Sequence, residues 1–316
     1  MSRLVRDRNP PSLKWGRRPR ERSLEELLTS GVINLDKPQG PTSHQVAAWV
    51  KEIVGTDKVG HGGTLDPRVT GVLPVATGKA TRAMDLVLSS DKEYVCLMRL
   101  HRDKGEEAIR RVMFSFQGRI YQMPPVRSAV KRSLRTREIH SIRILQIEGR
   151  RVLFRVACDS GTYIRTLCVD IGEALGVGAN MEELRRIRSG SMWEEDSVTL
   201  HDLKDAFVFW KEGDDRWLRR MLMPMEVLLE PLPKVVIKDS AVDAICHGAD
   251  LAVVGIIEVD SSISQGETAA LITEKGEGVA LAVTKMDAQG MVDSKEGLAA
   301  DTERVFMEPG TYPRMW

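Results

Sequence analysis

The feature that most constrains the fold is a proline-punctuated seam, "LLEPLPKV", from Leu228 to Val235. Pro231 and Pro233 each lack a backbone N–H and push the residue before them out of the helical region. Neither a helix nor an inner strand can run through the seam. Beyond it lie one short helical pattern, "DSAVDAICHG", and the β-rich runs "LAVVGIIEV", "TAALIT", "GVALAVTK" and "RVFMEP". Short runs separated by glycine-bearing turns imply a small barrel or sandwich of about 80 residues.

Before the seam, helical and strand patterns mix. In "PTSHQVAAWVKEIVG", Thr42 and Gln45 fit a capping box, and Val46, Trp49, Val50 and Ile53 recur at helical spacing before Gly55 ends the run. "EYVCLMRL" reads as a strand with Tyr94, Cys96, Met98 and Leu100 on one face, and "RVLFRVAC" as another. "TYIRTLCVDIGEALG" predicts a helix with Ile164, Leu167, Ile171 and Leu175 inward. "NMEELRRIRSG" predicts a further helix, capped by Asn180 with Glu183 three residues on. The organisation predicted is a polar extension over residues 1–30 with one short helix at "SLEELLTS", an α+β body over 31–233, and a small β domain over 234–316.

Of 316 residues, 42% are hydrophobic and 29% charged, and no apolar run is long enough to cross a membrane. The basic start has no apolar stretch behind it, so it is not a secretory signal. Cys96, Cys158, Cys168 and Cys246 form no C-x-x-C pair and read as reduced packing residues of a cytoplasmic protein, with no zinc site. The net charge of +1 hides an asymmetry, because residues 234–316 carry 7 Lys/Arg against 14 Asp/Glu. The rest of the chain is correspondingly basic, most of all in its first residues and in "RSAVKRSLRTR". Clustered arginine suits phosphate oxygens, although on charge alone a solvated basic face explains the same pattern equally well.

The stretch "VGHGGTLDPRVTGVLPV" poses a chemical question. Asp66 stands among glycines, an imidazole and apolar residues, with no second acid nearby. Glycosidases need two carboxyl groups and metal sites need several ligands, so neither class fits. Pro67 holds Asp66 extended, and the glycines allow close backbone approach. On its own this stretch reads as a surface turn.

The rest of the chain changes that reading. "INLDKPQGPTSH", "GHGGTLDPRVTGVLPV", "KEYV", "QMPPVRSAVKR", "SGTYIRTLCVDIGEALG" and "ELRRIRSG" follow one another in that order. The series resembles the TruB branch of pseudouridine synthases, and within it the archaeal dyskerin type, over nearly the whole chain. The resemblance implies a mixed, mainly antiparallel sheet flanked by helices, with a C-terminal β-barrel of the PUA kind. It implies isomerisation of uridine to pseudouridine in rRNA, with tRNA as a second candidate, directed by an H/ACA guide RNA. It assigns the catalytic carboxylate to Asp66, its pairing arginine to Arg165, and to Tyr94 the aromatic that stacks on the base and helps at C5. His61 is implied to hold the substrate strand open, with Lys37 and Leu184 as scaffold and pocket wall. Phosphate contacts fall on Arg127, Lys131 and Arg132, and a PUA contact on Gly248 of "HGADL", with the basic extension lying alongside. No cofactor or metal is implied. The protein partners implied are a zinc-ribbon protein, a β-barrel protein and a kink-turn binder. Two departures are visible. Gly62 stands where relatives carry Ser or Thr, which removes a hydroxyl and loosens the loop, and Arg102 stands where relatives have Gly.

The chemistry supports the assignment. Breaking the bond between ribose C1′ and uracil N1 releases a base whose charge spreads over two carbonyls, so it needs less protonation than a sugar hydroxyl. One carboxylate can then suffice, as nucleophile or as the group that starts loss of the 2′ proton. Burial would neutralise that carboxylate unless a cation lay beside it. A non-catalytic RNA-binding scaffold of the same fold is the competing reading, disfavoured by Asp66, Tyr94 and Arg165 occurring together. A nucleotide-phosphate binder lacks both G-x-x-x-x-G-K-[ST] and a helix-opening G-x-G-x-x-G.

Overall fold

The computed structural model describes residues 2–7, 14–124 and 133–315. The chain forms two compact units, one of Ile33–Val75 with Met84–Met221 and one of Met1–Val32, Ala76–Ala83 and Leu222–Trp316.

The first unit is built on a mixed sheet. Its strand order is Gly31–Lys37, Thr70–Thr77, Ala179–Ser189, Lys92–Leu100, Arg151–Cys158, Arg135–Glu148 and Gly118–Gln122. Thr70–Thr77 and Ala179–Ser189 are parallel, and every pair from Ala179–Ser189 on to Gly118–Gln122 is antiparallel. Lys92–Leu100 is central, and Tyr94, Cys96, Met98 and Leu100 turn to one buried face as their alternation predicts. Against that face pack Ile164, Leu167, Cys168 and Ile171 of the helix Ile164–Ala174 and Ile109 and Met113 of the helix Glu106–Ser115. Each such side chain, fully buried, contributes about 1.5–3 kcal/mol.

The helix Ser43–Val54 starts where Thr42 caps the Gln45 N–H and stops at Gly55, in the left-handed region. Its buried stripe is Val46, Ala47, Val50 and Val54, so Trp49, expected inward, is 37% exposed. The segment "NMEELRRIRSG", expected to be a helix, is the strand Ala179–Ser189. Its ladder to Lys92–Leu100 skips a residue between the Met181 and Glu183 pairings and another between Arg186 and Arg188. These two bulges break the alternation that marks a strand, while sheet pairing on both edges overrides the helical propensity of the sequence.

The second unit holds a seven-stranded sheet ordered Arg3–Val5, Ile256–Asp260, Lys234–Ile237, Thr268–Thr273, Gly278–Thr284, Leu298–Val305 and Leu251–Ala252. Val235, Val259, Leu271, Val279 and Ala300 form its core with Ile245 of the helix Asp239–Cys246. "LAVVGIIEV" is not one strand, because a 3₁₀ turn at Val253–Gly255 interrupts it. The run expected at "RVFMEP" is the strand Leu298–Val305, ending before Phe306.

The N-terminal residues are integral to this unit. Arg3–Val5 is an edge strand on Ile256–Asp260. Arg3 pairs with Glu258 at 3.0 Å, Asp7 with Lys238 at 2.6 Å, and Arg22 with Glu226 at 2.7 Å. Gly16, at φ +62°, sits so close to Tyr312 that a Cβ there would lie 2.1 Å from the phenol oxygen. The four cysteines are buried and unbridged. Among the described residues no helix is long and apolar enough to cross a membrane.

Candidate active site

Asp66 sits on the loop between the strands Val59–His61 and Thr70–Thr77. Backbone geometry there is fixed from both sides. Leu65 exchanges hydrogen bonds with the Ser43 hydroxyl, its N–H donating at 2.8 Å and its carbonyl accepting at 3.2 Å. Below the loop, the Lys37 ammonium donates to the carbonyls of Pro38, Pro67 and Val69 at 2.9, 3.2 and 2.9 Å. Lys37 is fully buried, so it clamps the loop rather than lining the cleft as a substrate-binding residue. Burial pushes its ammonium below the ordinary lysine range, partly offset by the negative charge of Asp66.

Two glycines shape the loop. Gly63 takes φ +114°, which disfavours any side chain. A Cβ on Gly62 would come within 2.5 Å of Val87 Cγ1, so the missing hydroxyl leaves the loop tightly packed there and does not loosen it.

The Asp66 carboxylate accepts from Arg165 Nη2, on the first turn of the helix Ile164–Ala174. Both side chains are 54% exposed, so the buried pair expected from sequence is an open one at the cleft. The cleft, about 600 Å³, is lined by Asp66, Arg165, Tyr94, Leu184, Lys92 and Arg186 among others. Tyr94 is 9% exposed. Burial pushes its phenol above the usual range and disfavours the phenolate, and the Arg186 guanidinium opposes that. Leu184 is a wall residue, now carried by a strand.

His61 is not among the lining residues. Its ring stands edge-on to exposed His44, centroids 4.8 Å apart, and its buried Nδ1 has no hydrogen-bond partner among the described residues. Burial holds its imidazole below the usual range, so the neutral form is favoured. Arg127, Lys131 and Arg132 lie outside the described residues. Gly248, in the second unit, takes φ +88° at an exposed turn after the helix Asp239–Cys246, with open space where a Cβ would stand. Arg102 takes no left-handed conformation and reaches the Gly176 carbonyl at 3.4 Å, so its turn tolerates a side chain.

Three further residues belong to the cleft or its support. Arg186 and Lys92 line the cleft while almost wholly buried. Lys92 donates to Val87 and Ser90 carbonyls at 2.6 and 2.5 Å, and burial with Arg186 nearby lowers its pKa to about 7. Gln122 is buried beneath the peptide that precedes the Arg165 helix. Arg186 was hidden by the helix assignment, Lys92 by its place in a strand motif. Outside the cleft lining, Asp91, His140 and Asp159 bring three metal-type donor atoms within 4.8 Å of one another. They are exposed or half-buried, and Asp159 also accepts from the Glu138 N–H at 2.8 Å.

A single carboxylate with an arginine partner, over a tyrosine floor on an α+β body with an appended small β domain, is the arrangement of an RNA pseudouridine synthase. Comparison with known proteins gives the lineage. Residues 51–164 match the N-terminal domain of the TruB family of pseudouridylate synthases, 165–230 the C-terminal domain of tRNA pseudouridylate synthase B, 233–306 a PUA domain and 2–47 a DKCLD domain. The probable tRNA pseudouridine synthase B of Methanothermobacter thermautotrophicus is 56% identical over 96% of this chain and 94% of its own. A chain in an H/ACA RNP bound to a substrate RNA containing 2′-deoxyuridine is 51% identical, with a TM-score of 0.94 over 100% of this chain and 97% of its own. A chain of a Cbf5-Nop10-Gar1 complex is 53% identical, with a TM-score of 0.93 over 99% and 96%. The chain belongs to the TruB family of pseudouridine synthases.

Proposed function

We propose that this enzyme isomerises uridine to pseudouridine in rRNA under the direction of an H/ACA guide RNA, with Asp66 as the reacting carboxylate. The observation that carries the reading is the Asp66–Arg165 pair at the mouth of a cleft wide enough for one extruded nucleoside. Extrusion costs a few kcal/mol, which phosphate contacts on a basic surface can offset. Inside the cleft, Arg165 keeps the carboxylate aimed beside the ribose, and the uracil ring lies on Tyr94. Substrate binding then excludes water from a pair that is open in the free protein. That strengthens the attraction between the two charges.

Likeness to chains solved in an H/ACA RNP with substrate RNA and in a Cbf5-Nop10-Gar1 complex supports assembly with guide RNA and small protein partners. We read those partners as a zinc-ribbon protein, a β-barrel protein and a kink-turn binder. The Arg127–Arg132 segment serves the phosphates, and the 234–316 domain holds guide RNA at the Gly248 turn. The relatives' names make tRNA the second substrate to test. Pseudouridine assayed in a uridine-containing rRNA fragment should depend on guide RNA. Modification of that fragment at equal rate without guide would overturn guide direction, and no modification of either RNA class by the assembled particle would overturn the activity.

A further inference from the structure

Arg186 is a charged side chain that the chemistry above leaves unused, although it is only 2% exposed. Its Nε donates to the Val72 carbonyl at 2.7 Å and its Nη2 to the Gly63 carbonyl at 3.1 Å. The same guanidinium stands beside the Tyr94 phenol, near enough for each to act on the other's ionisation. The bulge that skips Ile187 places Arg186 opposite Tyr94 in the strand pair. One buried cation therefore ties the cleft tyrosine to the loop that carries Asp66, three residues after Gly63. Among the described residues no carboxylate pairs with it, and burying an arginine in that way is costly, so its position calls for a functional reason.

We propose that Arg186 is the positioning residue for Tyr94, holding the phenol oxygen against the Gly63–Asp66 loop as the base that takes the C5 proton. This rests on the reading of Tyr94 as the group that acts at C5. Once the C5–C1′ bond has formed, the C5–H bond breaks and its electron pair restores the C5–C6 double bond, leaving the negative charge on N1. The proton passes to the Tyr94 phenolate, and the phenol returns it to N1, so the phenolate is regenerated. The net change moves one hydrogen from C5 to N1. A fixed cation beside the oxygen favours the phenolate and offsets the burial that opposes it.

The test uses the full chain with guide RNA and target, carrying either uridine or 5-deuterouridine. In R186Q, RNA binding should stay within about threefold, while turnover falls about tenfold or more. The rising limb of the pH–rate profile should move to higher pH, and the deuterium effect should grow as C5–H cleavage becomes rate-limiting. R186K, which keeps the charge, should recover part of the rate. A slow R186Q with the wild-type pH limb and isotope effect would show that Arg186 only holds the fold. Should R186Q fail to fold, exchange of the Arg186 Nη protons decides. It should be slow in the wild type and quicken in Y94F, and equal exchange in the two would remove the contact with the phenol. Wild-type turnover by Y94F would sink the reading of Tyr94 itself, whatever Arg186 does.

Discussion

Gln122 and Tyr163 exchange a full amide pair. The Gln122 Nε2 donates to the Tyr163 carbonyl at 3.1 Å, and the Tyr163 N–H donates to Gln122 Oε1 at 2.9 Å. Tyr163 is the N-cap of the helix Ile164–Ala174 and makes no side-chain cap of its own, so Gln122 supplies from another strand the fixation that a cap would give.

Gln122→Ala should therefore lower stability by about 1 kcal/mol, since the half-buried Tyr163 N–H loses its acceptor while the Tyr163 carbonyl keeps the Leu167 N–H. It should also slow turnover, because the turn carrying Arg165 loosens. Urea denaturation and a guide-directed assay check the pair of effects. An unchanged midpoint would mean that water replaces both bonds at no cost.

Asp66→Asn should abolish pseudouridine formation while RNA binding stays within about threefold, because shape is kept and the phosphate contacts lie elsewhere. Arg165→Lys should be severely impaired, since a point charge does not replace the planar fork that meets the carboxylate. The measurement is single-turnover product formation by protein free of wild-type enzyme. Turnover by the Asn variant would remove Asp66 from the chemistry, and a normal rate with Lys would remove Arg165.

Lys92 gives an unusual pH signature. Its folded pKa is lowered to about 7 from 10.5, so between those values the unfolded chain holds a proton that the folded protein does not. Stability then rises with pH across the window, by up to about 1.4 kcal/mol per pH unit. In Lys92→Met that rise should vanish. Denaturation of both proteins from pH 7 to 10 compares the slopes, and parallel curves would count against the buried, readily neutralised lysine.

Gly248→Glu tests the RNA anchor. Its left-handed φ of +88° makes any side chain cost about 1 kcal/mol, but nothing stands in the way of one. Guide-RNA affinity should fall at least about tenfold through repulsion and bulk, or about 1.4 kcal/mol. Filter binding at two salt concentrations separates a lost contact from a lost charge. Equal affinity at the higher salt would place the anchor elsewhere.

Much of this was legible in the chain. The caps at Thr42 and Gly55, the alternation from Tyr94 to Leu100 and the seam at Pro231 are local signals, and local rules read them. The Ala179–Ser189 strand was not legible, because its bulges scramble the alternation and its arginines resemble a helical surface. Their partners lie far off in sequence: Arg185 grips Asp36 at 3.0 and 2.9 Å, and Arg188 reaches Glu93 at 3.4 Å. Asp66 and Arg165 were found through matched motifs, since nothing local links residues 99 positions apart. The openness of their pair was not foreseeable, because exposure belongs to the cleft and not to either motif.

The strand Arg3–Val5 completes a sheet whose other members lie at Lys234–Ile237 and beyond. A ribosome adding about 5–20 residues per second makes the intervening chain in roughly ten to fifty seconds. Throughout that interval Leu24, Leu27 and Leu28, all buried in the finished protein, wait outside any completed core. Ile33–Val75 and Met84–Met221 can meanwhile assemble, so the earlier-made strand Arg3–Val5 settles after them. For this protein the vulnerable stage of biosynthesis is the wait of Arg3–Val5 for its partner strand Ile256–Asp260.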